Sequence, residues 1–109
     1  FIFQASGEVP RIMLRKRRTV GIRLPDCPIA LEILAELGEP LLASSVRSSA
    51  DEFILDPIAI EEDSDDELEM VVDGGRLPNE PSTVVDLSGD EPIVVREGKG
   101  DVNALSFLD

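Results

Sequence analysis

Apolar and polar residues alternate through the first six positions, FIFQAS, with the period of two that is typical of a half-buried strand. A second β-rich segment, RTVGIRL at residues 18–24, ends at Pro25. Between the two segments, VPRIML at residues 9–14 predicts a single turn of helix. The chain therefore begins with two predicted strands joined by a short helical connection.

The next segment, DCPIALEILAELGEP at residues 26–40, places its apolar residues three and four positions apart. Asp26 can cap the N-terminus of a helix, Pro28 falls in the first turn, and Gly38 marks the end. This pattern predicts an amphipathic helix, and we expect its apolar side to pack on a sheet.

The middle of the chain is less regular. LLASSV at residues 41–46 resumes an extended pattern, and residues 48–56 read as a polar loop. Residues 57–66 predict a short acidic helix, and the glycine pair that ends LEMVVDGG predicts a turn.

Two further extended segments follow, STVVDL at residues 82–87 and PIVVREG at residues 92–98, with a turn at Gly89 between them. Because their connection is short, we expect them to pair antiparallel. The alternation of strands and helices along the chain predicts an α/β layer with some antiparallel pairs.

Length and composition limit the class of protein. With 109 residues, 42% of them apolar, and no run near the ~20 apolar residues of a bilayer span, the chain predicts one small soluble domain without a membrane segment. A single cysteine, Cys27, and the absence of histidine leave no internal disulfide and no zinc site of the usual kind. Residues 1–25 lack the order of a secretory signal, so we expect a cytoplasmic protein, with an organelle left open.

The first residue is Phe1 rather than Met, and it lies inside a strand-like pattern. We therefore expect the chain to be a fragment. In that case a strand that should neighbour FIFQAS or TVGIRL is missing, and an unpaired sheet edge is exposed.

Charge is divided unevenly. Residues 1–25 hold six cations and one anion, whereas residues 26–109 hold four cations and 22 anions, which gives the net charge of −13. Much of the acidic excess lies in EEDSDDELE at residues 61–69, which we interpret as a solvated run. The run lacks the spacing of a twelve-residue calcium loop, so we predict no metal site.

Four consecutive cations, Arg15, Lys16, Arg17 and Arg18, form a basic rim just before the second strand. Three interpretations stay open: a solvated turn, a surface that guides a nucleotide, and a contact with RNA. Aromatic side chains are few, with four Phe and no Tyr or Trp, which weakens the case for single-strand recognition.

Hydroxyl and guanidinium groups recur at the ends of the extended segments. They are Thr19, Arg23, Ser44, Ser45, Ser82, Thr83 and Arg96. Such groups often satisfy local backbone atoms. If they converge on one side of a sheet, however, they would bind carboxylate or phosphate oxygens, because a guanidinium presents paired N–H groups in one plane.

Two blocks, RTVGIRLPDCPIALEILAELGEPLLASS and PSTVVDLSGDEPIVVREGKGD, together resemble the second half of the YrdC-like domain, and most closely its YciO branch. The resemblance implies an α/β fold with a twisted, mixed, open sheet, packed helices and a positively charged cavity. It implies that residues 1–109 are the C-terminal part of a single YrdC-like domain, in which residues 46–67 form a variable loop and acidic insert.

The YrdC-like domain is the fold of the L-threonylcarbamoyladenylate synthases. These enzymes join L-threonine, bicarbonate and ATP into threonylcarbamoyl-AMP with release of pyrophosphate, and the product feeds the t6A modification of tRNA. By position, the resemblance implies that Thr19, Ser45 and Arg96 approach the nucleotide, and that Arg23 and Ser82 approach the threonine. No protein nucleophile is implied, and magnesium would arrive bound to the phosphates of ATP.

Two departures from the synthase pattern keep other functions open. The synthases usually have Ser-Ala-Asn where this chain has Ser45, Val46 and Arg47, and their Lys-Arg motif lies in the first half of the domain. The chain alone is therefore expected to be inactive. The hypotheses are a synthase for threonine or another small substrate, a YciO-like module that binds a nucleotide, double-stranded RNA or tRNA without that chemistry, and a truncated remnant.

Overall fold

The structure, a computed structural model, describes residues 1–14, 16–48, 50–64 and 67–108. The chain divides into two units. We name residues 1–24 and 80–109 the sheet unit, and residues 25–79 the acidic unit. Within the residues described, the sheet unit contains strands β1 (Ile2–Gln4), β2 (Thr19–Gly21), β3 (Val84–Asp86) and β4 (Ile93–Arg96), and the acidic unit contains helices α1 (Pro28–Leu37) and α2 (Pro57–Asp63).

The strands form one mixed sheet in the order β2-β1-β3-β4. β1 pairs antiparallel with β2, with Ile2 opposite Gly21 and Gln4 opposite Thr19. β1 also pairs parallel with β3, where Ile2 lies opposite Asp86. β3 and β4 pair antiparallel, as their short connection predicted. The α/β class and the open mixed sheet are confirmed.

Among the described residues, the edges of the sheet are β2 and β4, while β1 has a partner on each side. Of the two segments expected to lack a neighbour, FIFQAS is therefore interior and TVGIRL borders an edge. All four residues of β4 are exposed, which fits an edge strand.

Burial is concentrated in the middle of the sheet. Val85 in β3 is 2% exposed, and Thr19 at the start of β2 is 9% exposed. Large apolar side chains remain exposed in both units, including Ile12 and Leu24 in the sheet unit and Leu42 in the acidic unit, at 94%, 75% and 82%. Among the described residues, Val85 is the one apolar side chain in the buried class, and many large apolar side chains stay exposed.

Helix α1 confirms the predicted helix but not its cap. The N-cap residue is Cys27, whose side chain makes no capping hydrogen bond, and Pro28 opens the helix. Because the fixed φ of proline suits the first helical position, the cap falls on the residue before it, and the prediction of Asp26 as the cap is wrong. Gly38 ends the helix in the left-handed conformation, with φ 68°, where a side chain would be strained.

Helix α2 is shorter than the predicted span of residues 57–66. Asp56 caps it, since its Oδ1 accepts from the backbone N–H of Ile58 at 3.0 Å, and the helix ends at Asp63. Residues 65 and 66 lie outside the described part of the chain. The capping carboxylate, rather than the acidic run, fixes where this helix begins.

The extended pattern of residues 41–46 does not form a strand, because a strand needs a hydrogen-bonded partner. One isolated antiparallel bridge joins Arg47 to Phe53, and the N–H of Ser48 donates to the carbonyl of Glu52 at 2.8 Å. The segment VPRIML forms the predicted single turn, a 3-10 helix at Arg11–Met13.

Candidate functional site

A cavity of about 640 Å³ opens on one face of the sheet unit. We name it the basic cavity, and its lining consists of Ile2, Leu14, Lys16, Arg17, Thr19 and Asp86. The register explains why three of these residues meet. Ile2 lies opposite Asp86, and Thr19 lies opposite Gln4, two residues along β1 from Ile2. Since every second residue of a strand points to the same face, Ile2, Thr19 and Asp86 share one side of the sheet.

The basic rim enters β2 through a tight turn. Arg18 has a φ of 56°, in the left-handed region that few residues other than glycine adopt, and its carbonyl accepts from the N–H of Ala5 at 2.9 Å. This turn leads directly into Thr19, so Lys16 and Arg17 line the same cavity as the first residue of β2. Arg15 lies outside the described residues.

Asp86 adds a carboxylate to this otherwise cationic lining. Its Oδ1 accepts from the hydroxyl of Ser88 at 2.6 Å and from the backbone N–H of Ser88 at 2.9 Å. These two hydrogen bonds lower the pKa of Asp86 from its ordinary value; desolvation opposes them, and the positive charge of Arg17 adds a smaller lowering effect. The basic cavity therefore combines two cations with one anion at neutral pH.

A second cavity, of about 320 Å³, lies where β1 and β3 begin and the chain leaves β2. We name it the Arg23 cavity. It is lined by Phe1, Ile2, Gly21, Ile22, Arg23, Leu24, Thr83, Val84, Val85, Gly100, Asp101 and Leu105. Charged groups from Arg23 and Asp101 stand here among mostly apolar side chains. Ile2 lines both cavities, so the two lie next to each other on the sheet unit.

The segment after β4 folds back over the start of β3. The Nε of Arg96 donates to the carbonyl oxygen of Ser82 at 2.8 Å. The hydroxyl of Thr83 donates to the carbonyl of Gly100 and accepts from the N–H of Gly98. These bonds join β3 to the end of β4 and leave the hydroxyl of Ser82 outside the contact with Arg96.

The structure places the predicted site residues in three groups within the sheet unit and one residue in the acidic unit. Lys16, Arg17 and Thr19 line the basic cavity, Arg23 lines its own cavity, and Ser82 contacts Arg96 through its backbone. Ser45 is an exposed residue of the acidic unit. The ligand roles of all of these residues stay predictions.

The sequence did not single out the two carboxylates that line the cavities. Asp101 lines the Arg23 cavity, and Asp86 lines the basic cavity. Asp86 lies in STVVDL, where alternation could have shown that it shares the face of Val84 rather than that of Val85. Which strand lies beside it could not be read from that segment.

Arg47 is held by its own loop. Its Nη1 lies 3.1 Å from Oδ1 of Asp51, and its guanidinium carbon lies 4.2 Å from the centre of the Phe53 ring. The Arg47 guanidinium therefore makes an ion pair and a cation-π contact within the same loop.

Metal and membrane features complete the description. Among the described residues, no group of three His, Cys, Asp or Glu side chains is arranged to hold a metal ion. No helix in that part of the chain has the length and apolar character needed to cross a membrane.

Comparisons with known proteins identify similar chains. A model of the Sua5/YciO/YrdC domain, described as telomere recombination, matches residues 1–98. Uncharacterized protein YciO of Escherichia coli K12 is 44% identical over 104 residues, which cover 94% of this chain and 50% of that protein. Threonylcarbamoyl-AMP synthase of Bacillus subtilis is 35% identical over 81 residues, covering 73% of this chain and 23% of that protein.

The crystal structure of E. coli YciO matches with a TM-score of 0.79 at 43% identity, over 93% of this chain and 50% of that one. The fold described above is thus also found in an experimental structure. The chain spans about half the length of the YciO proteins it matches.

Proposed function

Because this chain belongs to the Sua5/YciO/YrdC family, we propose that it supplies nucleotide- and threonine-binding groups to a site that makes threonylcarbamoyl-AMP from L-threonine, bicarbonate and ATP. Two relatives named threonylcarbamoyl-AMP synthase, from B. subtilis and Pyrococcus abyssi, support the proposal at 35% and 31% identity. The observation that carries it is the pair of adjoining cavities on one sheet, one lined by Lys16 and Arg17 and the other by Arg23.

The basic cavity suits the phosphates of ATP. Lys16 and Arg17 supply positive charge and N–H donors, and Thr19 adds a hydroxyl at a rigid strand end. Charge-assisted hydrogen bonds to phosphate oxygens are roughly twice as strong as neutral ones. Magnesium enters this proposal as part of the substrate, bound through phosphate oxygens.

The Arg23 cavity suits L-threonine. The guanidinium of Arg23 can hold the amino acid carboxylate through two parallel hydrogen bonds, and the apolar lining can receive the small side chain. The threonine amine and bicarbonate condense to a carbamate with loss of water, and a carbamate oxygen then attacks the α-phosphorus of ATP. The bond between the α-phosphorus and the oxygen that bridges to the β-phosphorus breaks, and that oxygen leaves with pyrophosphate. The protein therefore contributes positioning and charge stabilisation without a nucleophile of its own.

Turnover is proposed for a larger unit than this chain. We use the term completed domain for this chain joined to the remaining half of the family domain, in which the Lys-Arg motif of the synthases lies. The chain alone spans about half of its YciO relatives, and the cationic side chains that line its two cavities, Lys16, Arg17 and Arg23, are exposed. An exposed ion pair contributes only about 0–1 kcal/mol, too little to hold a nucleotide by itself.

The test is threonine-dependent release of pyrophosphate from ATP by the completed domain, with bicarbonate present. The double variant Lys16→Ala and Arg17→Ala should lower the affinity for ATP by about tenfold or more, since each lost contact is charge-assisted. Arg11→Ala is the matched control, because Arg11 is an exposed cation of the same unit outside both cavities. Release that does not depend on threonine, or equal effects of the two substitutions, would contradict the proposal.

A second function, binding of a nucleotide or double-stranded RNA without synthesis, is favoured by Arg47. Its guanidinium is occupied by Asp51 and Phe53 at the position where the synthases usually have asparagine. Binding of ATP by the completed domain with no threonine-dependent pyrophosphate release would select this function.

A further inference from the structure

The basic cavity contains a carboxylate that the proposed function does not use. Asp86 lies in the middle of the sheet, opposite Ile2 of β1 on one side and Ile93 of β4 on the other. Pairing on both sides fixes its backbone, and two hydrogen bonds from Ser88 fix Oδ1. Within the described residues both bonds end on Oδ1, so Oδ2 can accept from a ligand.

A fixed anion in a cationic cavity changes which ligands fit. A bare anion such as pyrophosphate gains from Lys16 and Arg17 but is repelled by Asp86. A ligand that places an O–H or N–H donor beside its anionic group gains from all three residues, because the carboxylate accepts a charge-assisted hydrogen bond. The lining therefore favours a ligand with a mixed pattern of charge and donors.

We propose that Asp86 is the specificity-determining residue of the basic cavity and selects ligands in which a hydrogen-bond donor adjoins an anionic group. This inference rests on the proposed function. The ligand is a nucleoside phosphate, with its phosphate on Lys16 and Arg17 and a ribose hydroxyl donating to Oδ2 of Asp86. An amino acid zwitterion offers the same pairing of donor and anion, and the experiment separates the two sources.

The experiment is calorimetry on the completed domain with four probes: AMP, 2′,3′-dideoxy-AMP, pyrophosphate and L-threonine. Asp86→Asn is the informative variant, because the amide oxygen can still accept from Ser88 while the negative charge is lost. Asp90→Asn is the control, since Asp90 is an exposed acid of the same unit outside both cavities. Thermal melts compare the folding of each variant with that of the parent.

Asp86→Asn is expected to lower the preference for AMP over its dideoxy analogue and to raise the affinity for pyrophosphate. The parent should bind AMP about tenfold more tightly than the dideoxy analogue, which is the size of one charge-assisted hydrogen bond. Asp86→Asn should reduce that preference to near one and should tighten pyrophosphate binding, whereas Asp90→Asn should leave the preference unchanged.

Three results would overturn the inference. The first is equal binding of AMP and dideoxy-AMP by the parent, a comparison that needs no variant. The second is a parallel rise in affinity for AMP, dideoxy-AMP and pyrophosphate in Asp86→Asn, which would make Asp86 a source of general repulsion. The third is a loss of L-threonine binding in Asp86→Asn with AMP binding unchanged, which would assign the donor to the amino acid.

The inference and the proposed function can fail separately. AMP binding needs neither threonine nor turnover, so a preference that depends on Asp86 without any threonylcarbamoyl-AMP synthesis would remove the proposed function alone. Synthesis together with equal binding of AMP and its dideoxy analogue would remove this inference alone.

Discussion

The sheet unit and the acidic unit differ most in charge. The sheet unit contains eight cations and eight anions, whereas the acidic unit contains two cations and 15 anions, so the whole net charge of −13 belongs to the acidic unit. Both cavities are lined by residues of the sheet unit. An acidic chain can therefore present a locally cationic cavity, and the net charge of the whole chain does not describe the charge around that cavity.

The two units also differ in how they are held together. The sheet unit is closed by bonds between distant residues, such as the N–H of Ile22 to the carbonyl of Phe1 at 2.7 Å and the N–H of Leu87 to that of Ile2 at 2.8 Å. Among the described residues of the acidic unit, the loop and cap hydrogen bonds join close neighbours, as between Ser48 and Glu52 or between Asp56 and Ile58. We therefore expect the sheet unit to be more sensitive to substitutions that displace its backbone.

The largest change in stability and activity should come from joining this chain to the rest of the family domain. The comparison tests whether the two units together are stable without that remainder. Ile12, Leu24 and Leu42 are 94%, 75% and 82% exposed, and the chain spans about half of its YciO relatives. Expressed alone, the chain should self-associate or be partly unfolded and release no threonine-dependent pyrophosphate. Light scattering and thermal melts measure this, and a monomer with a sharp melt and measurable release would contradict it.

A large loss of L-threonine affinity is also expected on substitution of Arg23. Such a loss would show that a residue of the sheet unit binds the ligand. In the completed domain, Arg23→Ala should weaken L-threonine binding by roughly 1.5–3 kcal/mol, the range for hydrogen bonds to charged groups. The fold should be unchanged, since Arg23 is exposed. Calorimetry measures the affinity. Arg76→Ala in the acidic unit is the control, and equal losses in the two variants would remove Arg23 from the site.

A substitution at Gly98 tests how tightly the backbone of the sheet unit packs after β4. A Cβ at this position would overlap the carbonyl oxygen of Pro81, whereas a Cβ at Gly89 would meet no atom within 4 Å. Gly98→Ala should therefore lower the free energy of unfolding by about 1–3 kcal/mol, as overpacking typically does. Gly89→Ala in the same unit should change it little. Thermal melts of the completed domain compare the two, and equal shifts would show that the segment after β4 moves without cost.

Local structure could be predicted because it depends on neighbouring residues. Proline and glycine marked the ends of α1, and short apolar segments separated by a turn at Gly89 indicated β3 and β4. Pairing depends on partners that no local pattern specifies, so the sequence did not indicate that β1 lies between β2 and β3. The extended pattern of residues 41–46 failed to become a strand for the same reason.

The lining of the cavities was predictable to the same extent. The run of cations before β2 indicated Lys16, and the polar groups at the ends of strands indicated Thr19 and Arg23; all three line cavities, and their ligand roles stay predictions. Asp86 reaches the basic cavity through its register with Ile2, a contact across 84 positions of sequence. Because strand pairing places Asp86 there, no local pattern could indicate it.

A smaller effect should follow the ionisation of Asp86. Hydrogen bonds from Ser88 lower its pKa below the ordinary value of 3.8, so the ionised carboxylate stabilises the folded state above that pH. This contribution is lost as the pH falls through the lowered pKa. Ser88→Ala should therefore reduce the melting temperature at neutral pH, and the difference from the parent should shrink below pH 3.8. Ser106→Ala is the control, and a difference that is independent of pH would contradict the assignment.

The smallest effect is expected from the acidic unit and bears directly on the charge comparison. Glu67 and Glu69 are exposed beside many like charges, so the double substitution Glu67→Gln and Glu69→Gln should raise stability slightly, by about 0.5 kcal/mol or less. The matched pair in the neutral sheet unit, Glu91→Gln and Glu97→Gln, should give no such gain. Because the repulsion is screened, the gain should vanish in about 1 M salt, where the Debye length is about 3 Å. Melting temperatures at low and high salt measure both pairs. A gain that persists at high salt, or an equal gain in the sheet unit, would show that self-repulsion does not distinguish the two units.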